Sequence, residues 1–521
     1  MKVLVIGGSG AFGSLLCEML KRDGVDVTVA GRSGGRGTVV LDRDGPLAGL
    51  AGYGVIVDAA GPFHAYGDDP YRVARAAIAN GAHYFDLCDN ADFCQGISAL
   101  DGAARAAGVS VVSGMSSVPA LSSTVVDALR DGQTPLMIES AILPGNKAPR
   151  GRSVVESILS QTGTDYVTRQ AGKDHTVRSW SEPRRYDLGK GMRRQGWRIE
   201  VPDQRLFPKH FNCPNVTFRA GLELGVMRYG LAALSWLRSK LRFGVSGWLV
   251  SLVMLGAKTL APFGSDRGGM SVEVTVPQGA GFVRKTWVMR AINGDGPYTP
   301  GIAVRAACRD LDTLPRGAFA ALSVVSLAQV EACFEDLQIE TDVTQTPAIP
   351  VFRQVLGPDL DRLPDAIKAT HDAVVPRAFK GMASVTRGRG FQARVAAVLF
   401  GFPPSAEAVE VEVIKTPKGQ GEIWLRRFGA KTFRSHLRAR GRGMSERFGA
   451  LTFDLGLSVE GEKLHFPVRA GRAFGVPIPR FLLPQSIATE AVVDERFEFD
   501  VHLKAPTGAT LVHYRGWLEP V

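Results

Sequence analysis

Cysteine is scarce in this chain of 521 residues. The six cysteines form no C-x-x-C pair and are widely spaced, at Cys17, Cys88, Cys94, Cys213, Cys308 and Cys333. Disulfide frameworks and structural zinc sites need closely spaced cysteines, so this pattern excludes a disulfide-stabilised secreted domain and a zinc-finger type of site. The sequence therefore predicts a reduced, cytoplasmic protein without a bound metal.

Long apolar runs are lacking as well. The N-terminal run, Val3 to Ile6, is too short for a signal peptide. An uncharged run covers residues 243–257, and as a helix it would be about 22 Å long, short of the roughly 30 Å hydrocarbon core of a bilayer. The sequence therefore predicts no membrane-spanning helix.

The surroundings of that uncharged run nevertheless suggest a surface role for residues 236–263. Trp236 and Trp248 accompany basic residues, namely Arg238, Lys240, Arg242 and Lys258. Aromatic and basic residues around an apolar segment are typical of a helix that lies in a membrane interface. A buried or homodimer-forming helix pair explains the same pattern, and both interpretations stay open at this point. The first places the protein peripherally at the inner membrane surface.

The net charge of +11 is not accompanied by any signature of nucleic-acid binding. Basic residues are spread along the chain, without an RNP, zinc-finger or helix-turn-helix motif. We therefore predict no nucleic-acid partner and interpret the charge as a solvated, arginine-rich surface. The phosphates of a cofactor or lipid headgroups are secondary partners for it.

The N-terminus carries the most specific pattern in the chain. A buried parallel strand is predicted over Val3 to Ile6, followed by a glycine turn and a helix from Ser14 to about Lys21. Glycines in this spacing let the backbone turn sharply and approach a pyrophosphate, which the helix N-terminus also attracts. The predicted cofactor-binding residues of the turn are Gly7, Gly8, Ser9, Gly10, Ala11, Phe12 and Gly13.

The end of the second predicted strand bears on which dinucleotide binds. An acid there normally binds the ribose 2′-hydroxyl of NAD, but this chain has Arg32 and Ser33, with Arg36 close behind. A guanidinium suits a 2′-phosphate by its charge and by its planar set of donors. We therefore predict NADP rather than NAD, with Arg32 and Ser33 as binding residues. The alternative is that Arg32 stacks on adenine or faces solvent.

Strands and helices continue to alternate through roughly residue 130, which predicts an α/β, doubly wound parallel sheet of the Rossmann type. Ligands bind at the carboxyl ends of such strands. Asp42 after the third strand, and Ala60, Gly61 and Pro62 after the fourth, are therefore predicted to contact the cofactor.

Candidates for catalysis follow the same logic of position. Asp58, Asp86, Asp89 and Ser116 all stand at predicted strand ends and could supply a proton, as could Ser117 and Tyr66. Each also has a structural explanation, because acids and serines in such places cap helices and tie loops. The sequence leaves the proton donor open.

Beyond residue 130 the pattern of predicted strands and helices changes twice. Strand-like segments in 131–293 predict an inserted α/β substrate domain that includes the apolar segment, and residues 294–345 are predicted to complete the Rossmann domain. From 360 to 521, short alternating segments separated by turn residues predict an antiparallel β-rich domain, a curved sheet or partial barrel able to hold an apolar ligand.

Several motifs together resemble a known family. The glycine turn, the strand end at 30–33, the segments 58–63 and 84–86, and the loop 116–119 look like the saccharopine dehydrogenase/reductase-like NADP-binding family, over approximately residues 1–345. The resemblance implies an NAD(P)-dependent oxidoreductase with a Rossmann domain and an inserted α/β domain. The segments 422–429, 446–449, 475–479 and 513–516 resemble a bacterial domain of unknown function that is fused to such reductases.

One departure from this family concerns the substrate. No counterpart is evident for the residues that would bind saccharopine's carboxylates, and the segment around Trp248 indicates an apolar substrate instead. The leading hypothesis is therefore an NADP-dependent reductase of an apolar or lipid-like enone, ketone or imine. An NADP-binding sensor or scaffold without turnover, and an amino-acid imine reductase, are the alternatives.

Overall fold

The computed structural model describes residues 1–521 except Ser33, residues 35–37, Arg150, Arg242, Ala280 and Arg442. The described chain divides into two compact units. The first contains Met1–Pro277 and Val283–Thr346, and the second contains Gln278–Phe282 and Pro347–Val521.

In the first unit the strands are β1 (Lys2–Ile6), β2 (Asp26–Gly31), β3 (Thr38–Val40), β4 (Val55–Asp58), β5 (His83–Asp86), β6 (Ser110–Ser113), β7 (Met137–Leu143), β8 (Asp165–Gln170), β9 (Lys173–Arg178), β10 (Arg184–Asp187), β11 (Arg193–Arg198), β12 (Val216–Gly221), β13 (Gly268–Gln278), β14 (Gly281–Ala291), β15 (Gly317–Ala320) and β16 (Ile339–Pro347). Its helices are α1 (Gly13–Arg22), α2 (Arg72–Ala79), α3 (Ala91–Gly96), α4 (Asp101–Ala106), α5 (Ser122–Arg130), α6 (Arg152–Gln161), α7 (Pro202–His210), α8 (Gly225–Leu241), α9 (Gly247–Leu260), α10 (Ile302–Arg309) and α11 (Leu327–Ala332).

The second unit contains three helices among its described residues, α12 (Val351–Leu356), α13 (Asp365–His371) and α14 (Phe391–Phe400). Its strands are β17 (Arg377–Arg387), β18 (Ala406–Lys418), β19 (Gly421–Phe428), β20 (Lys431–Arg440), β21 (Gly443–Phe448), β22 (Leu451–Leu455), β23 (Ser458–Glu460), β24 (Lys463–His465), β25 (Val468–Ala473), β26 (Val476–Pro477), β27 (Gln485–Val493), β28 (Arg496–Lys504) and β29 (Thr510–Pro520).

The first sheet is parallel, with the order β15-β6-β5-β4-β1-β2-β3. Val3–Ile6 and all of β4 are buried, as expected for central strands covered by helices on both faces. The strand order reverses at β1, with β2 on one side and β4 on the other. This is the Rossmann arrangement, in which ligands bind at the carboxyl ends beside that reversal. The predicted fold class is confirmed for this part of the chain.

The second sheet of the first unit is mixed, with the order β10-β11-β12-β7-β13-β14-β16. Strand β12 runs parallel to β7, whereas β13 runs antiparallel to it. The return of the chain to the first sheet differs from the sequence prediction for residues 294–345. Strand β15 completes the first sheet, but β16 (Ile339–Pro347) extends the second sheet beside β14 instead. Strand partners far apart in sequence leave no local signal, so this split is not visible in the sequence.

The uncharged run 243–257 does not form one continuous helix. Helix α8 ends at Leu241 and α9 begins at Gly247 after Ser246. Glycine is a weak helix former, and Gly244 lies in the connection. The Arg238 guanidinium also donates a hydrogen bond to the Phe243 carbonyl (3.2 Å) and fixes the connection. None of the described helices is long and apolar enough to span a bilayer.

The second unit is built on one antiparallel sheet, which contains thirteen strands among the described residues. Its order is β23-β24-β27-β28-β29-β17-β18-β19-β20-β21-β22-β25-β26, which confirms the predicted antiparallel β-rich fold. The unit begins upstream of residue 360, because α12 packs in the same core. Phe352 of α12 is completely buried and its ring stacks on Trp424 with 5.9 Å between centroids.

Candidate functional site

The glycine turn joins β1 to α1 and is held by tight backbone packing. Gly7 has a φ of +74°, and its N–H donates to the Ala30 carbonyl at 2.9 Å. A Cβ on Gly7 would lie 2.8 Å from the Cα of Ala60, and a Cβ on Gly13 would overlap the Gly7 carbonyl oxygen. Only glycine fits these two positions, because any side chain would separate the turn from its neighbours. Ser9 and Gly10 at the tip of the turn are exposed.

Two helix N-termini lie beside this turn. Helix α1 begins at Gly13, its first turn contains no acid, and no described side chain caps it. Helix α6 begins after Gly151, where an added Cβ would be 3.6 Å from the Cβ of Ala11. Helix N-termini present free N–H groups and a partial positive charge. An anionic group such as a pyrophosphate is therefore favoured next to Ala11.

The residues predicted to bind the ribose lie on the neighbouring strands. Arg32 is exposed and follows β2, which pairs with β1 up to Ala30 opposite Ile6. Arg32 thus lies at the same carboxyl end of the sheet as the glycine turn. Ser33 and Arg36, predicted with it, lie outside the described residues. Asp42 accepts a hydrogen bond from the Asp44 N–H (3.1 Å) and closes a local turn.

Arg43, which lies near the same end of the sheet, was not identified from the sequence. Its guanidinium lies 3.6 Å from the centroid of the Tyr66 ring, a cation–π contact. The Nη1 atom of Arg43 is buried without a hydrogen-bond partner among the described residues. The chain separation between Arg43 and Tyr66 gives no sequence signal for this contact. The unpaired donor, close to the predicted adenosine side of the site, is suited to an anionic or carbonyl ligand group.

Asp58 is completely buried at the end of β4 and organises the loop that follows. Its Oδ1 accepts from the Ala60 N–H and its Oδ2 accepts from the Tyr66 hydroxyl, both at 3.0 Å. Burial raises the pKa of this carboxyl, against these hydrogen bonds and the charge of Arg43. The bonds hold Ala60, Gly61 and Pro62, all half-buried, next to Gly7. Asp58 therefore fixes the conformation of the loop that is predicted to contact the cofactor.

Asp86 stands opposite Asp58 in the strand register and has a similar role. Its Oδ1 accepts from the Cys88 N–H (3.0 Å), the Ser113 hydroxyl (3.0 Å) and the Gly114 N–H (2.7 Å). Burial raises the pKa of Asp86 to about 7. The side chain ties the ends of β5 and β6 together, immediately before Ser116. Asp86 therefore anchors the loops that follow β5 and β6.

The remaining candidates lie toward the inserted part of the unit. The Ser157 hydroxyl of α6 donates to Asp89 Oδ2 at 3.3 Å, which links α6 to the loop after β5. Ser116 is half-buried at the start of a turn over Ser117–Leu121. Ser117 is buried from bulk solvent but lines an internal cavity.

This cavity has a volume of about 270 Å³ and lies between the glycine turn and the second sheet. Its wall is mainly apolar. It includes Phe12, Ser117, Ile142, Val154, Ile158, Trp180, Met227, Leu231, Val253, Ala257, Asp266, Met289 and Thr299. The described lining contains no lysine, arginine or histidine, and Asp266 is its ionisable side chain. Such a wall suits an apolar ligand and offers no cationic partner for a carboxylate.

A buried ion cluster in the second sheet was also missed by sequence reasoning. Glu139 of β7 pairs with Arg184 (2.5 Å) and Arg219 (2.6 Å), and Tyr186 donates to it. Burial acts to raise the pKa of Glu139, but the two guanidinium groups hold it below its usual range. Glu139 and the cavity-lining Ile142 are three residues apart on β7 and so lie on opposite faces of the sheet. The cluster therefore stabilises the sheet outside the cavity.

The residues at the carboxyl end of the first sheet fit the pyrophosphate of a dinucleotide. Gly7 and Gly13 leave the space that a pyrophosphate needs, no described side chain caps the N-terminus of α1, and Arg32 follows β2, whose end is predicted to contact the ribose. The described side chains include no group of three or more potential metal ligands. All six cysteines are free thiols.

Comparison with known proteins supports the C-terminal assignment. Residues 363–518 match the family model described as a domain of unknown function, DUF4166, so the expected resemblance of this segment is confirmed. No curated protein sequence matched the chain. The saccharopine dehydrogenase-like resemblance of the first 345 residues stays a prediction.

Several solved structures are similar to the chain. One is a meso-dapdh mutant with DAP from Clostridium tetani, at 12% identity and a TM-score of 0.34, covering 63% of this chain and 95% of that one. Another is the MviM dehydrogenase of Clostridium difficile, at 8% identity and a TM-score of 0.27, with coverages of 64% and 95%. A third is WlbA dehydrogenase from Bordetella pertussis in complex with NADH and UDP-GlcNAcA, at 9% identity and a TM-score of 0.25, with coverages of 55% and 77%.

Proposed function

We propose that this chain is a nicotinamide-dependent oxidoreductase that uses NADP and reduces a carbonyl, enone or imine group on an apolar substrate. The observation that carries the proposal is the shared position of Phe12. This residue belongs to the glycine turn and also lines the apolar cavity, so a dinucleotide on the turn and a ligand in the cavity would be neighbours. Rossmann enzymes place cofactor and substrate in this relation at the strand ends.

Different residues would bind the cofactor, exclude water and supply a proton. Gly7 and Gly13 let the backbone approach the pyrophosphate, and Arg32 binds the 2′-phosphate. When bound, NADPH supplies the hydride. The apolar walls around Trp180 and Met227 exclude water from the reacting group. Ser117 lines the cavity and its hydroxyl carries an exchangeable proton, whereas Asp58 and the Oδ1 atom of Asp86 accept hydrogen bonds from loop groups.

The composition of the cavity wall bears on the substrate class. An amino-acid imine reductase must hold a substrate carboxylate, usually with arginine or lysine. The described wall offers neither. An apolar or lipid-like substrate is therefore favoured over an amino acid, and a saccharopine-type activity is disfavoured.

We further propose that the outer face of α8 and α9 contacts an anionic membrane surface. Trp236, Trp248, Leu252 and Leu255 are 55–68% exposed on this face, with Lys240 and Lys258 also exposed. The inner face of the same helices, at Met227, Leu231 and Val253, lines the cavity. The helix pair would thus lie between a lipid phase and the substrate cavity. Arg238 does not take part, because it donates to the Leu159 carbonyl (2.6 Å), and Arg242 lies outside the described residues.

The decisive experiment is an NADPH oxidation assay with the purified full chain. Apolar enones, ketones and imines presented in detergent or lipid should be reduced, while soluble amino and keto acids should not. Turnover of the soluble acids alone would identify an amino-acid imine reductase. Tight NADPH binding without oxidation of any of these compounds would favour a nucleotide-binding sensor, a function consistent with the fully buried positions of Asp58 and Asp86.

A further inference from the structure

The antiparallel sheet of the second unit curves around a second cavity, of about 160 Å³. Alternate residues of β18 (Val411, Val413 and Lys415) and of β19 (Trp424, Arg426 and Phe428) face into it. Nine phenylalanine side chains contribute to its lining. The interior is therefore mostly apolar and aromatic, with polar groups confined to particular positions.

The most unusual of these polar groups is Lys415, which is 5% exposed. Its Nζ donates to the Thr370 carbonyl at 2.9 Å and lies 3.3 Å from His371 Nδ1. It also lies 4.0 Å from the Trp424 ring centroid. Burial lowers the pKa of Lys415 to about 7. A lysine is seldom buried in an apolar core, because desolvating its ammonium group is costly.

Acidic and basic side chains face one another around this end of the cavity. Arg426 Nη2 pairs with Glu446 Oε1 at 3.0 Å, and Glu490 pairs with His371, which borders Lys415. Burial lowers the pKa of His371 to about 4, so His371 is neutral near pH 7. Glu422, which accepts from the Trp424 indole N–H (2.8 Å), is a further acid close by. Because Glu490 and Glu422 both act on the charge of Lys415, a ligand carboxylate would meet two acids beside that cation, and a ligand ammonium would have to compete with Lys415 for them.

We propose that this cavity binds a small apolar molecule with one uncharged hydrogen-bonding group, a hydroxyl or carbonyl, placed beside Lys415. A cavity of this size with apolar walls takes up molecules of roughly six to ten non-hydrogen atoms, such as a substituted benzene. The protonated Lys415 Nζ has three N–H donors, of which the Thr370 carbonyl and His371 Nδ1 accept two, so one remains for the ligand. This site is separate from the dinucleotide site and does not depend on the function proposed for the first unit.

The test uses the full chain and four compounds that share one ring: toluene, benzyl alcohol, benzoate and benzylamine. Binding is measured by isothermal titration calorimetry and by ligand-observed NMR at neutral pH. Toluene and benzyl alcohol should bind, with benzyl alcohol tighter by roughly three- to tenfold, the effect of one hydrogen bond. Benzoate and benzylamine should bind at least about tenfold more weakly than benzyl alcohol. Absence of binding by every compound, or benzoate binding as well as benzyl alcohol, would overturn the proposal.

Two variants and one control variant locate the site. Lys415→Met should remove the preference for benzyl alcohol over toluene while toluene still binds, and Lys418→Met, on the same strand but exposed, should leave the preference intact. Val413→Phe should fill the cavity and abolish binding of both compounds. Thermal unfolding followed by circular dichroism verifies that each variant is folded. Unchanged binding in a folded Val413→Phe variant would contradict the proposed location, and the ligand series on the unmodified chain tests the chemistry independently of any variant.

Discussion

Gly13 lies so close to Gly7 that a Cβ on Gly13 would overlap the Gly7 carbonyl oxygen. The contact sets how tightly the chain turns between β1 and α1. Glycine is needed in this chain for two different reasons: some positions need its conformational freedom, and others need the close approach that a residue without a side chain allows. Gly13 is required for close approach, whereas Gly24, with a φ of +75° and no atom within 4 Å of an added Cβ, is required for its conformation alone.

The first prediction concerns this pair. Gly13→Ala should lower the free energy of unfolding by several kcal/mol and reduce dinucleotide affinity at least about tenfold, because the turn must open. Gly24→Ala should cost roughly 1 kcal/mol from its left-handed conformation and leave the affinity unchanged. Urea denaturation and fluorescence titration with NADPH measure the two effects. Equal losses of affinity in both variants would show that the close approach is irrelevant to the cofactor.

The second prediction concerns the pH dependence of stability at Asp86. Burial raises its pKa to about 7, above the value of about 4 in an unfolded chain. The native state therefore binds this proton more tightly, and the resulting stabilisation is complete below about pH 4 and lost as the pH rises to about 7. Asp86→Asn keeps an acceptor for three donors and does not ionise.

The free energy of unfolding of Asp86→Asn should consequently fall less between pH 4 and pH 7 than that of the unmodified chain, by roughly 3 to 4 kcal/mol. Urea denaturation at a series of pH values measures the difference. Asp68→Asn, on the exposed surface, serves as the control and should follow the unmodified chain. An Asp86→Asn profile parallel to that of the unmodified chain would rule out this titration.

The third prediction tests the cavity of the first unit. Val253 and Leu252 are neighbours on α9, but Val253 lines the cavity whereas Leu252 is 55% exposed. Val253→Phe should narrow the cavity and raise the KM for an apolar substrate about tenfold or more, with NADPH affinity unchanged. Leu252→Phe should alter neither. Equal kinetic constants in the two variants would place the substrate elsewhere.

The fourth prediction tests the outer face of α8 and α9. The full chain should sediment with vesicles that contain anionic lipid, and less so at high salt, which screens Lys240 and Lys258. The double variant Trp248→Ser/Leu255→Ser should lose most of this binding, whereas Val343→Ser, with a similarly exposed apolar side chain (52%), should retain it. No sedimentation, together with a dimer that the double variant abolishes in light scattering, would make this face a homodimer interface.

The sequence was sufficient to predict the fold where a local pattern of residues determines the local structure. The buried run Val3–Ile6, the glycine turn and the alternation of strands and helices predicted the parallel sheet, and alternating segments predicted the antiparallel one. It was insufficient where distant residues meet. The addition of β16 to the second sheet and the contact of Arg43 with Tyr66 depend on packing between segments that are not adjacent in the chain.

The same limit applies to the roles of the acids. Position at a strand end made Asp58 and Asp86 candidates for proton transfer, but their complete burial and their hydrogen bonds to Ala60 and Gly114 are properties of the folded loops. The ion cluster of Glu139 with Arg184 and Arg219 was invisible for the same reason. Charges in a sequence do not reveal which of them will be desolvated together.

The central claim, an NADP site built on the glycine turn with Arg32 at the ribose, is tested most directly by the dissociation constants of NADPH and NADH. The unmodified chain should bind NADPH at least about tenfold more tightly than NADH, and Arg32→Asp should reverse that order, because a carboxylate repels the 2′-phosphate and accepts from the 2′-hydroxyl. Arg193→Asp, an equal change of charge at an exposed arginine, should leave both constants unchanged. Failure of either dinucleotide to bind, or identical constants for the unmodified chain and Arg32→Asp, would contradict the account.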